Sequence, residues 1–227
     1  MDLYNQKNKS YPQKIVLTIL EIIIIAISYW ILFANGYYKI FHPLNPGQGN
    51  TVRHIILFTF NIIVFLRILV TSFYLIKRRM PWEEAFSIPF AFALYYIGFA
   101  LLGFKSPVNI GTIDIIGILL FLLGSFLNTG SELARDIWKK KPENKGQLYT
   151  SGLFKYSMHI NYFGDLLWVS AYAFVTRNWY SILIPIFLFC FFVFFNIPKL
   201  DNYLKSKYGD KFDNYQKTTK KFIPLIY

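Results

Sequence analysis

The chain has 227 residues, of which 55% are hydrophobic and 20% aromatic but only 16% charged. Soluble domains carry about 25% charged residues, and here the apolar residues come in long runs, so a soluble globular fold is excluded in favour of a polytopic membrane protein. The net charge of +12 is carried by basic residues flanking those runs and does not indicate a nucleic-acid partner, while the single cysteine, Cys190, excludes an intrachain disulfide framework or a cysteine zinc site.

In chain order, residues 1–14 are polar and carry Lys7, Lys9 and Lys14. Residues 15–33 form a first apolar run, long enough for about 30 Å of hydrocarbon. The start is basic but no small-residue cleavage site follows, so a retained helix is expected rather than a signal peptide. Residues 34–54 read as a loop, with turn signals at His42-Pro43 and Asn45-Pro46-Gly47. Further spans are predicted over 55–76, 85–104, 110–127, 161–175 (a short one) and 179–197. Residues 77–84 form a charged connection and 128–160 the longest polar segment. From Lys199 onward the chain is polar and basic. Tyr203, Leu204, Tyr208, Phe212 and Tyr215 recur there mostly at three- and four-residue steps, which predicts an amphipathic helix interrupted at Gly209. The apolar end, 223–227, is expected to pack back onto the bundle or the interface. The expected fold class is an all-α membrane helix bundle of about six transmembrane helices with a cytosolic helical tail. It forms one compact bundle, with a four-helix region over 1–127 and a second region over 128–227.

Basic residues orient this map. If the N-terminus is cytosolic, 19 of the 24 Lys and Arg residues fall on the cytosolic side. Only Lys39, Arg53, Lys105 and Arg177 fall on the other, and Arg67 lies inside a span. By the positive-inside rule both termini are cytosolic, and residues 77–84, 128–160 and 199–227 share one face. The membrane expected is the endoplasmic reticulum in a eukaryote and the inner membrane in a bacterium.

Three ionisable residues lie in predicted spans: Glu21, Arg67 and Asp114. A charge at mid-membrane costs about 2.5–3.5 kcal/mol on insertion scales, so a partner is expected. Glu21 and Arg67 are placed at similar depth, which suits an ion pair, although snorkelling or a catalytic role for Glu21 also fits. Asp114 is expected at the interface. Glu83 and Glu84 follow Pro81 at the start of a helix, where the macrodipole favours acids; a carboxyl there can also serve as a general acid in apolar surroundings. Asn128, Ser131, Glu132 and Arg135 share one helical face, which lines a cavity or meets headgroups. Lys139, Lys140 and Lys141 suit phosphates, of lipid or of a nucleotide. His159 has no second or third ligand spaced near it, so no metal site is expected. No Gly-x-Gly-x-x-Gly follows a strand, so a Rossmann cofactor fold is excluded on pattern.

The segment from Gly152 to Asp165, Gly-Leu-Phe-Lys-Tyr-Ser-Met-His-Ile-Asn-Tyr-Phe-Gly-Asp, resembles the C-terminal signature of the steroid 5-alpha-reductase family. Asn128-Thr129-Gly130-Ser131-Glu132, Tyr208–Tyr215 and Phe222-Ile223-Pro224-Leu225-Ile226-Tyr227 agree in order and spacing, so the resemblance covers about residues 128–227. It implies an α-helical membrane fold binding NADPH in the C-terminal half. It further implies cofactor contacts from Asn128, Glu132, Asn161, Asp165 and Tyr203, with His159 in the same signature and Lys199 at a phosphate-binding position. The family's catalytic acid is a glutamate before a Pro-containing apolar stretch; Glu84 is the best match and Glu83 its rival. The tyrosine that pairs with that glutamate has no clear counterpart, and Tyr95, Tyr96 and Glu21 are the next residues to consider. The implied activity is hydride transfer from NADPH to an electron-poor C=C bond of a lipid or sterol-like molecule, with Arg135, Lys140 and Lys199 as candidates for holding phosphates. Isoprenylcysteine and phospholipid methyltransferases share the fold and use S-adenosylmethionine. They carry an acidic pair before the tail where this chain has only Asp201. A non-enzymatic lipid-binding role is the third reading.

Overall fold

The computed structural model describes residues 8–42 and 49–227. Lys7 and the turn signals from Pro43 to Gly47 lie outside the described residues. The described residues form helices and no strand. They are α1 (Tyr11–Phe33), the short α2 (Gly36–Phe41), α3 (Thr51–Leu75), α4 (Trp82–Gly103), α5 (Thr112–Lys139), α6 (Ile160–Thr176), α7 (Trp179–Tyr208) and α8 (Asp210–Thr218). α1, α3, α4, α5 and α7 are long and apolar enough to cross a membrane; α6, with 17 residues, is the short sixth apolar helix. The fold is an all-α membrane bundle.

The helices bury polar residues and show apolar ones to lipid. On α1, Ile15, Ile19, Ile22 and Ile23 are exposed, while Lys14, Leu17, Glu21, Ile25 and Ser28 are buried at three- and four-residue spacing. Apolar burial does not drive association inside a bilayer, so helices meet through packing and interhelical hydrogen bonds. One such chain runs from the Tyr172 hydroxyl to Asn61 Oδ1 (2.9 Å) and from Asn61 Nδ2 to Ser28 Oγ (2.9 Å).

Two helices run further than their hydropathy suggests. α5 continues past Leu127 to Lys139 through a π-helical turn, Phe126–Gly130, and α7 continues past Ile197 to Tyr208 through another, Phe192–Asn196. Polar residues beyond each apolar run, such as Glu132 and Asp201, find partners inside the fold, so polarity marks a change of surroundings, not the end of a helix. Pro198 is tolerated in α7 because it falls in the first turn after the π segment, where the α-helical hydrogen-bond ladder is already interrupted. The interruption expected at Gly209 is present: its φ of 53° separates α7 from α8. Phe212 and Tyr215 on α8 pack with Met158. Of the two places expected for the apolar end, the bundle does not take Leu225 and Ile226, which are 81% and 73% exposed, whereas the preceding Phe222 is buried.

The chain forms two compact units whose boundaries fall inside α5, α6 and α7. The first comprises residues 1–118 and 171–184, the second residues 119–170 and 185–227.

Candidate functional site

In the second unit α5 and α6 approach backbone to backbone. A Cβ on Gly124 would lie 2.5 Å from the Trp168 nitrogen, and one on Gly164 would lie 2.5 Å from the Asn128 nitrogen. Glycine is required at both positions, and this contact sets Asn128, in the π turn of α5, beside the first turn of α6. Asn128 Nδ2 donates to the Asn161 backbone carbonyl at 3.2 Å, and Asn161 Nδ2 donates to Glu132 Oε1 at 3.0 Å. The other Glu132 oxygen pairs with Arg135, whose guanidinium stacks 5.4 Å from the centroid of the Phe154 ring. Four of the residues singled out from sequence thus form one half-buried polar chain. Within it lie an amide that can both donate and accept, a carboxylate and a guanidinium, the group types that hydroxyls and phosphates bond to.

The remaining candidates in this unit lie outside that chain. Asp165 accepts from Trp168 Nε1 at 2.7 Å, Lys140 pairs with Asp136 at 2.9 Å, and the Tyr203 hydroxyl accepts from Lys207 at 3.0 Å. Lys199 is exposed. His159 is 1% exposed and bonds Asp201 Oδ1 through Nε2 at 2.8 Å. It acts as a pin inside the fold. Lys221 reaches the other Asp201 oxygen at 3.6 Å. The Met158 and His159 nitrogens donate to the Lys220 and Lys221 carbonyls, and Ser157 Oγ donates to the Phe222 carbonyl. The segment after α8 is therefore stitched to the residues just before Asn161. The Tyr215 hydroxyl donates to the Phe154 carbonyl, and burial raises its pKa above the usual phenol range, so it stays a donor.

The first unit holds the candidate acids. Glu83 is exposed in the first turn of α4. Both Glu84 oxygens accept from Arg78 Nη2, at 2.9 and 2.8 Å, so Glu84 is one half of an ion pair. Glu21, by contrast, is fully buried, and the group that engages its carboxyl is the Tyr96 hydroxyl from the π turn of α4. Among the described residues, neither Glu21 oxygen nor the Tyr96 oxygen reaches full hydrogen-bond geometry with a partner. The ion pair expected between Glu21 and Arg67 is not formed; Arg67 acts electrostatically on Tyr96 and Tyr172. Asp114, expected near the end of its span, lies in the first turn of α5 and is enclosed by protein. It is fully buried, bonded to Arg53 at 3.0 Å, to Arg177 at 3.3 Å and to the Gly111 nitrogen at 2.9 Å.

The signature and the glycine-enforced meeting of α5 and α6 lie within the stretch, residues 85–219, that matches the family described as a protein of unknown function, DUF1295. The chain belongs to the DUF1295 family. Similarity to the steroid 5-alpha-reductase C-terminal region is shared with named relatives. The chain is 28% identical over 160 residues to Delta(14)-sterol reductase erg24 of Schizosaccharomyces pombe (62% of this chain, 36% of that protein). It is 30% identical over 111 residues to 3-oxo-5-alpha-steroid 4-dehydrogenase 2 of Rattus norvegicus (49% of this chain, 42% of that protein). It is also 33% identical over 98 residues to a probable O-methyltransferase, ustE, of Ustilaginoidea virens (42% of this chain, 34% of that protein). The matches span about 34–42% of the length of these relatives.

Proposed function

We propose that this DUF1295 protein is a membrane oxidoreductase that uses NADPH to reduce an electron-poor C=C bond of a lipid or sterol-like molecule. The observation that carries the reading is the Asn128–Asn161–Glu132–Arg135 chain of the second unit, in a protein similar to relatives named as sterol reductase and steroid dehydrogenase. The donor set fits the cofactor: Glu132 suits a ribose diol, the Asn161 and Asn128 amides suit ribose or carboxamide, and Arg135 suits a phosphate. When bound, NADPH supplies the hydride. The chain's own residues hold and orient, which removes the entropy of bringing reactants together. The developing charge on a substrate carbonyl oxygen needs a donor, and two groups are candidates. Glu84 is engaged by Arg78. Glu21 and Tyr96 are buried, adjacent and not committed to a bond of full geometry. We therefore assign the acid role to the Glu21–Tyr96 pair ahead of Glu84.

The methyltransferase relative keeps a second reading in view, with S-adenosylmethionine in the same cradle. Titrating the detergent-purified protein with NADPH and with S-adenosylmethionine, by calorimetry, separates the two. NADPH is expected to bind saturably, and Asn161→Ala to weaken it about 5- to 150-fold, because losing a partner of a buried polar group costs about 1–3 kcal/mol. Saturable S-adenosylmethionine binding without NADPH binding would replace this reading. Binding of neither, with lipid retained, would favour a lipid-binding protein without this chemistry.

A further inference from the structure

In the second unit the apolar segment 223–227 is a built turn. The Phe222 nitrogen donates to the Tyr227 carbonyl at 2.6 Å, and the Ile226 and Tyr227 nitrogens donate to the Ile223 carbonyl at 3.1 and 3.0 Å. Leu225 has a φ of 67°, a left-handed backbone that a leucine adopts only at a cost. The turn holds Leu225 and Ile226 outward, although both side chains are aliphatic.

Phe222, at the base of the turn, fixes where it stands. Its ring is fully buried against Phe163 of α6 and against Phe189 and Phe192 of α7, with centroids 6.2, 5.9 and 6.2 Å away. Both α7 rings lie inside the apolar run that ends at Ile197. At a rise of 1.5 Å per residue, Phe192 and Phe189 stand about 7 and 12 Å before that end. Phe191, Phe194 and Phe195, at three- and four-residue spacing, form an exposed face of the same helix, which is long and apolar enough to cross a membrane. The turn is therefore rooted at acyl-chain depth on a helix whose outer face meets lipid. A loosely held segment explains neither its three backbone bonds nor the buried Phe222. Backbone groups that enter lipid must be bonded within the protein, and these are. We propose that the 223–227 turn inserts into the bilayer beside α7, with Leu225 and Ile226 among the acyl chains, and that lipid thereby anchors residues 219–222. That strap carries the Lys220 and Lys221 carbonyls, which accept from the Met158 and His159 nitrogens just before Asn161.

The test uses the full chain in phosphatidylcholine nanodiscs. On a Cys190→Ser background a nitroxide is placed at Leu225→Cys, at Ile226→Cys or, as a water-exposed reference on α8, at Lys217→Cys. Power saturation against oxygen and a water-soluble nickel chelate reads depth. The labels at 225 and 226 are expected about 5–10 Å into the headgroup and acyl boundary, preferring oxygen, while the label at 217 prefers the chelate. Labels at 225 and 226 as open to the chelate as the label at 217 overturn the insertion. Labels closed to both reagents overturn it too, since protein from a second copy would then cover the turn. Amide hydrogen exchange reads the anchoring separately and needs no cofactor. Seating one aliphatic side chain in apolar surroundings is worth a factor of roughly 10–150, so Leu225→Asp with Ile226→Asp should speed exchange at Met158 and His159 about tenfold or more. If the double variant does not fold, the milder Leu225→Ser carries the comparison. Unchanged exchange in a folded variant overturns the anchoring.

Discussion

Asp114 and Glu21 are both fully buried carboxylates in helices of the first unit, and their surroundings are opposite. Asp114 is saturated: Arg53, Arg177 and the Gly111 amide all reach it, and Arg53 in turn donates to the carbonyls of Val175 (2.6 Å), Val108 (2.6 Å) and Ser106 (3.3 Å). This ties the start of α3, the loop after α4, the start of α5 and the end of α6 into one knot. Among the described residues, Glu21 has only the Tyr96 hydroxyl to engage it, with no bond of full geometry at either end. A membrane protein retains a costly buried charge for fixed architecture or for chemistry. A saturated group has no capacity left for a ligand, so Asp114 is assigned to architecture and Glu21 to chemistry.

Removing each carboxylate breaks or sharpens that contrast. Glu21→Gln is expected to lower turnover of a surrogate enone about 10²- to 10⁴-fold, the range by which a positioned acid accelerates a reaction, with the melting temperature little changed. Glu84→Gln, which opens an ion pair partly exposed to water, should lower turnover far less. If Glu84→Gln alone abolished turnover, the acid would be the glutamate that the family pattern points to, and the contrast would fail. Asp114→Ala should do the reverse of Glu21→Gln. It leaves Arg53 buried without its counter-charge, which costs about 3–5 kcal/mol. For a chain of this size that is roughly 6–20 °C in melting temperature, read by thermal unfolding in detergent. An unchanged melting temperature would sink the architectural assignment.

A smaller effect is expected where no charge is involved. Gly164→Ala would bring a Cβ within 2.5 Å of the Asn128 nitrogen and 2.7 Å of the Gly124 carbonyl oxygen, both backbone atoms that cannot swing away. Overpacking of this kind costs about 1–3 kcal/mol. Because the displaced strand of backbone carries Asn128, NADPH affinity should fall with stability. Loss of stability with affinity intact would show that the α5–α6 contact does not set the cradle.

The polar chain was legible in part: local spacing places Asn128, Glu132 and Arg135 on one face, and Asn161 lies in the separate signature over 152–165. The two buried carboxylate clusters were not. Arg53 is 61 residues from Asp114, and Glu21 is 75 from Tyr96. The spans that carry them are apolar nearly all round, so hydropathy does not say which face turns inward. The same limit ended α5 and α7 too early, because polar residues that bond inside the fold look like loop when only their transfer cost is counted. Glu84 drew attention for its place in a helix's first turn, but sequence carried no sign that Arg78, six residues earlier, folds back onto it.

The smallest effect separates the two buried clusters most finely, because its sign is at stake. Tyr96 is fully buried, and among the described residues its hydroxyl has no partner at full hydrogen-bond geometry. A buried polar group without a well-formed bond keeps its desolvation cost, so Tyr96→Phe, which deletes one oxygen and leaves the ring, should stabilise the protein by up to about 1 kcal/mol or leave it unchanged. Turnover should fall, since the phenol is the donor offered beside Glu21. A residue that weakens stability yet supports activity marks a reactive site, where function is kept against the stability optimum. The same conservative removal at the other cluster, Arg53→Met, should lower the melting temperature, because Arg53 closes bonds to three backbone carbonyls and to Asp114. If Tyr96→Phe also lowered the melting temperature by several degrees, the phenol would be part of the architecture, and the acid assigned to Glu21 would lose its partner.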